Sequence, residues 1–200
     1  MLIIPRDNYS LQQPISCCNW NNEYPYSPSV SFRAKHDGEN LYIEYTVEER
    51  YTKAEESIPG NEVYMDSCVE CFIQPDAADP RYYNFEWNAI GLLAMACRTG
   101  RSDADHAPLD VLAMVGSEPS LGREPFCEKV GDNRWTLEVK IPVQALFRHT
   151  VDSWAGKDMR INLYKCGDGL KEPHYLTFAP VETPKPDYHR PEFFVPVHFE

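Results

Sequence analysis

DSCVECFIQPDAADPRYYNFEWNAIG, Asp66 to Gly91, reads as two β-strands joined by an acidic loop that Pro75 and Pro80 bound. Strand residues alternate faces. Val69, Cys71 and Ile73 therefore point one way and Cys68, Glu70 and Phe72 the other, while in the second run Tyr83, Phe85 and Trp87 oppose Asn84, Glu86 and Asn88. One face is apolar and the other carries carboxylates and amides. The polar face is expected to be solvated. With Glu, Asn and aromatic rings side by side, it is equipped to hydrogen-bond hydroxyls and to stack on a flat ring, which points toward a sugar.

Working outward, period-two runs recur at Val30 to Ala34, Leu41 to Val47, Leu92 to Cys97, Val111 to Val115, Trp135 to Ile141, Arg160 to Tyr164, Tyr175 to Phe178 and Phe193 to Phe199. Turn signals separate them, among them His36-Asp37-Gly38, Gly131-Asp132-Asn133 and Gly167-Asp168-Gly169. Pro142 to Phe147 breaks the pattern, because proline in a first helical turn followed by Gln-Ala-Leu-Phe predicts one short helix. The expected fold class is all-β, a two-sheet antiparallel β-sandwich of the immunoglobulin or jelly-roll kind with that one helix. Leu41, Ile43, Tyr45 and Val47, and likewise Trp135, Leu137, Val139 and Ile141, are expected to face the core.

Two hundred residues suffice for one well-buried core and are few for two, so one domain over residues 1–200 is expected. Seventeen prolines against ten glycines suit short strands and many turns. A formal charge of −12 with no Lys/Arg cluster repels a phosphate backbone, which excludes nucleic acid as an expected partner. Seven cysteines, two of them adjacent at Cys17 and Cys18, cannot pair completely and are expected as free thiols in a reducing compartment. No apolar run approaches a membrane span and MLIIPRDNYS has no leader pattern, so the expectation is a cytoplasmic protein without membrane insertion, or an exported one whose leader has been removed.

Several segments in order resemble the family 9 carbohydrate-binding modules: HDGENLYIEYTVEE from His36, DSCVECFIQPD from Asp66, YYNFEWNAIG from Tyr82, NRWTLEVKIPVQALF from Asn133, RINLYKC from Arg160 and PDYHRPEFFVPVHFE from Pro186. The resemblance implies non-catalytic binding of a mono- or oligosaccharide or a glycan end, with a terminal sugar held between two loop aromatics. It places Tyr64 and Tyr188 at those positions, with Glu70, Asn84, Glu86 and Arg98 as hydrogen-bonding groups and His189 and Arg190 beside Tyr188 in the same loop. As loop residues, both tyrosines are expected to be removable without harm to folding. Family members that hold structural calcium in acidic loops suggest Asp76, Asp79, Asp103 and Asp105 as ligands, although no EF-hand spacing is present and no cofactor is expected.

Two other functions compete. Glu70 and Glu86 could form a glycosidase pair, since carboxyls about 5–10 Å apart run glycoside hydrolysis, and the chain is then a glycoside hydrolase or an accessory subunit in polysaccharide catabolism; a sandwich that has lost sugar binding and serves as an interaction domain is the other. Cys68 and Cys71 spell C-x-x-C, but three places apart in a strand they face opposite sides and cannot converge on one metal. The six histidines have no zinc-type spacing.

Overall fold

The computed structural model describes residues Met1–Glu200. Along the chain run β1 (Leu2–Ile4), β2 (Gln13–Pro14), β3 (Ser29–His36), β4 (Asn40–Ala54), a 3-10 turn (Val63–Met65), β5 (Cys68–Gln74), β6 (Tyr82–Asn88), β7 (Leu93–Arg98), β8 (Ala104–His106), α1 (Leu109–Leu112), β9 (Gly116–Pro119) and β10 (Phe126–Pro142). A 3-10 turn (Val143–Ala145), β11 (Asp158–Cys166), β12 (Tyr175–Thr177), a third 3-10 turn (Pro191–Phe193) and β13 (Val195–Phe199) follow. Two sheets form a sandwich. One has the order β2-β3-β4-β10-β9, and the other β1-β13-β11-β5-β6-β7-β8 with β12 on the end of β11. All pairings are antiparallel except β1 with β13.

The alternation read in the sequence decides what lies between the sheets. Phe32, Leu41, Ile43, Tyr45, Val47, Trp135, Leu137, Val139 and Ile141 come from one sheet, and Val69, Cys71, Ile73, Tyr83, Phe85, Trp87, Ile161 and Leu163 from the other; all are buried in one apolar cluster. The Trp135 indole reaches past the apolar layer, where its Nε1–H donates to Glu49 Oε1 at 2.8 Å. A polar cluster also sits inside. Lys165 Nζ, wholly buried, meets Glu49 Oε2 at 2.9 Å and donates to His174 Nε2 and to the Cys166 carbonyl at 2.8 Å each. Three donors thus find three acceptors, and the pair bridges β11 of one sheet to β4 of the other.

Three expectations are corrected. Pro142 ends β10, and after it only the 3-10 turn Val143–Ala145 forms, because Leu146 leaves helical geometry at φ −77°, ψ 57°. The helix lies instead at Leu109–Leu112, overlapping at Val111 and Leu112 the run read as a strand from Val111 to Val115; Pro108 enters it extended, and only Val111 of the helix is buried. Gly131-Asp132-Asn133 does not end a strand. It sits in a bulge of β10, whose pairing with β4 shifts register between Val130 and Asn133.

The outer face of β5 and β6 is the largest departure. It is not solvated: every residue of both strands is buried. The segment from Pro180 to Pro191 and the residues after it roof that face, so Cys68, Phe72, Tyr82, Tyr164, Cys166, Val181, Tyr188 and Phe194 form a second apolar cluster. Glu70, Asn84 and Glu86 are enclosed at its margin, with 3%, 2% and 7% of their surface exposed.

Candidate functional site

Strand register lays the floor of the site in rows. Tyr164, Glu70 and Glu86 stand opposite one another across β11, β5 and β6; Cys166, Cys68 and Asn88 form the row beside them. Ala94 and Ala96 on β7 keep the far edge low, and Arg98 ends that strand. Above the floor a cleft of about 520 Å³ opens, bordered by Tyr24, Tyr64, Asp168, Tyr175, Arg98, Arg101 and the segment Lys185 to His189. That volume falls in the range of small-molecule sites, roughly 300–1,000 Å³.

Several contacts fix the walls. Tyr64 projects from the turn Val63–Met65, whose position is set by Asp168 N–H donating to the Tyr64 carbonyl at 3.0 Å. The loop carrying Asp168 comes so near that a Cβ on Gly169 would stand 2.6 Å from the Met65 carbonyl oxygen. Tyr175 meets Tyr24 edge to face at 4.7 Å between ring centres. Arg98 Nε donates to Asn84 Oδ1 at 2.9 Å and Asn84 Nδ2 donates to Glu86 Oε1 at 2.8 Å, a polar relay that aims the Glu86 carboxyl.

Of the residues singled out from the sequence, Tyr64, Glu70, Glu86, Arg98, Tyr188 and His189 border the cleft. Asn84 acts behind it through the relay. Arg190 lies outside the border, with its guanidinium on Glu192 at 2.7 Å, and holds the loop rather than facing the cleft. Tyr188 is not a free loop ring. It is 8% exposed, stacks on Tyr164 at 4.1 Å and 9°, and its hydroxyl donates to the carbonyls of Lys165 and Leu176 at 3.0 and 3.2 Å. The expectation that it can be removed without harm to folding is therefore overturned; its ring backs the cleft. Tyr24, Arg101, Cys166, Asp168 and Tyr175 carried no site signal in the sequence, since each is brought in by pairing with, or packing on, a distant segment.

Enclosure changes the acids. Burial, and then repulsion from Glu86, holds the Glu70 carboxyl well above the ordinary carboxylate range. Burial likewise raises Glu86 and Asp168. The floor therefore holds its carboxyls where burial favours the neutral, proton-donating form over the carboxylate. His189 goes the other way. Burial, with Arg98 and Arg101 nearby, pushes its imidazole down to about 3, and Nδ1 shares a hydrogen bond with the Tyr82 hydroxyl at 3.0 Å. Since an unfolded histidine takes a proton near pH 6.5, the unfolded chain binds more protons than the folded one between about pH 6.5 and 3, and stability falls as pH drops through that window. His189→Asn is expected to flatten this acid slope by up to about 1.4 kcal/mol per pH unit, seen in urea unfolding at pH 7, 6 and 5. An unchanged slope would show that His189 takes up its proton as readily in the folded protein as in the unfolded chain.

The four loop aspartates do not assemble. Asp79 is held by Arg81 and His149, Asp105 by Arg148, Asp103 by the Thr99 hydroxyl, and Asp76 accepts from the Ala78 N–H. They do not fit a calcium ion shared among them. Cys68 and Cys71 face opposite sides of the sheet, the first in the roofed cluster and the second in the core.

Residues 3–199 match the family model for carbohydrate-binding family 9. Among solved structures, a candidate carbohydrate-binding protein from Bacteroides uniformis ATCC 8492 is 42% identical, with a TM-score of 0.91, covering 94% of this chain and 86% of that one. Family 9 modules from Caldicellulosiruptor kristjanssonii in complex with glucose and with cellotriose are 11% identical, with TM-scores of 0.60 and 0.59; each covers all of this chain, and 95% and 93% of theirs. These distant likenesses concern the fold. No curated protein matches. A family model matched over almost the whole length, together with a sandwich of the same architecture, shows that the chain belongs to carbohydrate-binding family 9.

Proposed function

We propose that this protein binds carbohydrate without transforming it, holding a sugar ring or the end of a glycan in the cleft between Tyr64 and Tyr175, with Tyr188 as its backing and Glu70, Glu86, Asp168 and Arg98 as partners for hydroxyls. The observation that carries this is the combination in one cleft of partly exposed aromatic rings and enclosed carboxyls. A sugar presents the matching surfaces, C–H faces for stacking and hydroxyls that both donate and accept. Glucose and cellotriose, the ligands in the two distant family 9 complexes, are the first probes.

A glycan-array screen followed by calorimetry tests the reading. Tyr64 is half-buried at the rim and its hydroxyl donates to the exposed Glu62 at 2.7 Å, so Tyr64→Ala is expected to leave the melting temperature nearly unchanged. Loss of an aromatic contact, about 0.5–1.5 kcal/mol beyond its buried area, weakens binding about tenfold at 1.4 kcal/mol per decade. Full affinity in Tyr64→Ala would move the sugar elsewhere.

One observation favours glycoside hydrolysis as a second reading: Glu70 and Glu86 are register partners, and burial holds the Glu70 carboxyl above the ordinary carboxylate range. Against it, both carboxyls lie side by side on one floor, whereas hydrolysis needs them flanking the scissile bond. Product release from bound oligosaccharides, abolished by Glu70→Gln while binding survives, would replace the binding reading with the hydrolytic one.

A further inference from the structure

The floor of the cleft holds a second chemical group beside the polar row. Cys68 and Cys166 are direct register partners on the adjacent central strands β5 and β11, and Glu70 lies two residues along β5 on the same face. Glu70 Oε1 is 3.1 Å from Cys166 Sγ and 4.0 Å from Cys68 Sγ, and all three ligand atoms lie within 4.8 Å of one another. The three residues are buried, and they are the one such trio of thiol, imidazole or carboxyl groups in the chain. Glu70 accepts hydrogen bonds here from the two thiols and has no ion pair with Lys or Arg; the nearby Lys165 ammonium is spent on Glu49.

We propose that Cys68, Cys166 and Glu70 form a binding site for a thiophilic divalent metal ion of the zinc class, with a remaining coordination position directed into the cleft. Zinc takes thiolate at about 2.3 Å and carboxylate at about 2.0–2.2 Å in a tetrahedron, which places sulfur and oxygen about 3.5 Å apart, midway between the two separations seen. Two sulfurs and one oxygen suit zinc, cobalt or cadmium far better than calcium, which takes oxygen ligands. Glu70 and Cys166 both border the cleft, so the open side of the trio faces it, where Asp168 or water can complete the shell. The strands supply rigidity, since all three ligands belong to the paired interior of one sheet. On binding, the two S–H protons leave to solvent while the ion takes their place, so affinity rises with pH. The proposal stands apart from the sugar reading, with which it shares Glu70 and, where it completes the shell, Asp168.

The test uses the full chain, reduced and stripped with a chelator. Zinc titration by calorimetry is expected to show one strong site, and cobalt to give thiolate-to-metal charge-transfer absorption; Cys68→Ser/Cys166→Ser is expected to lose both, and Glu70→Gln to weaken zinc at least tenfold. Cys127→Ser and Cys17→Ser/Cys18→Ser, which alter more exposed thiols, are expected to keep the site. Should the double serine variant fail to fold, the cadmium NMR shift of the unmodified protein reports the number of thiolate ligands, two being expected. A cobalt spectrum without charge transfer, a cadmium shift showing fewer than two thiolates, or a native Cys68–Cys166 disulfide in mass spectra would overturn the site. Sugar binding measured in the stripped protein is a separate readout, so failure of the metal site leaves the carbohydrate reading standing and the reverse also holds.

Discussion

Tyr188→Ala is expected to destabilise the protein by about 3–5 kcal/mol, the usual cost of emptying a large aromatic from a packed site. The ring is enclosed between Tyr164, stacked at 4.1 Å, and Trp20, whose ring centre is 6.0 Å away. Truncation also strips the Lys165 and Leu176 carbonyls of a donor. For a chain of this length each kcal/mol moves the melting temperature by roughly 2–4 °C, so a drop near 10 °C should appear in a thermal scan. Tyr188→Phe keeps the stack and loses only the hydroxyl, so it should cost about 1–3 kcal/mol. A Tyr188→Ala protein that melts like the wild type but has lost its sugar would show that the ring is a ligand wall alone.

Lys165→Met should be equally damaging for a different reason. The ammonium is wholly buried, and removing it leaves the Glu49 carboxylate without its countercharge and His174 Nε2 without a donor. In the intact protein burial, and then the neighbouring lysine, hold the His174 imidazole well below the usual histidine range; the substitution removes only the second of these. Breaking one partner of a buried ion pair costs about 3–5 kcal/mol, whereas replacing both by apolar residues is often close to neutral. Lys165→Met/Glu49→Leu should therefore recover most of the loss in urea unfolding, although Trp135 Nε1 would then lack its acceptor. If the double variant is as unstable as the single one, the lost energy belongs to packing rather than to the orphaned charge.

Much of the fold was legible because a two-residue period says which side of a strand each residue takes. Leu41, Ile43, Tyr45 and Val47, and the Trp135 series, went inside as their alternation requires. The same period showed that Glu70, Asn84 and Glu86 share a face. It could not show what lies opposite or above. Cys166 meets Cys68 across a chain separation that no local pattern spans, and Tyr175 joins through the pairing of β12 with β11. The roof over β5 and β6 is built from a proline-rich segment without periodicity, so an enclosed polar face looked like a solvated one and Tyr188 like a free loop ring. Val111 and Leu112 read as strand because the helix Leu109–Leu112 makes barely one turn, too short for a 3.6-residue period to separate from a strand.

The lysine within β11 also bears on how the chain finds its pairing. Tyr164, Lys165 and Cys166 alternate, so the register that buries Lys165 against Glu49 is the one that turns Tyr164 and Cys166 to the cleft. Sliding β11 by one residue would exchange the faces, sending a tyrosine and a thiol toward the interior and the ammonium into the cleft, with Glu49 stranded inside. An all-apolar strand would have several alignments of similar energy. Here the misaligned ones carry a naked charge, so the buried pair marks a single alignment during folding and thereby sets the phase of the binding surface on the other side of the same strand.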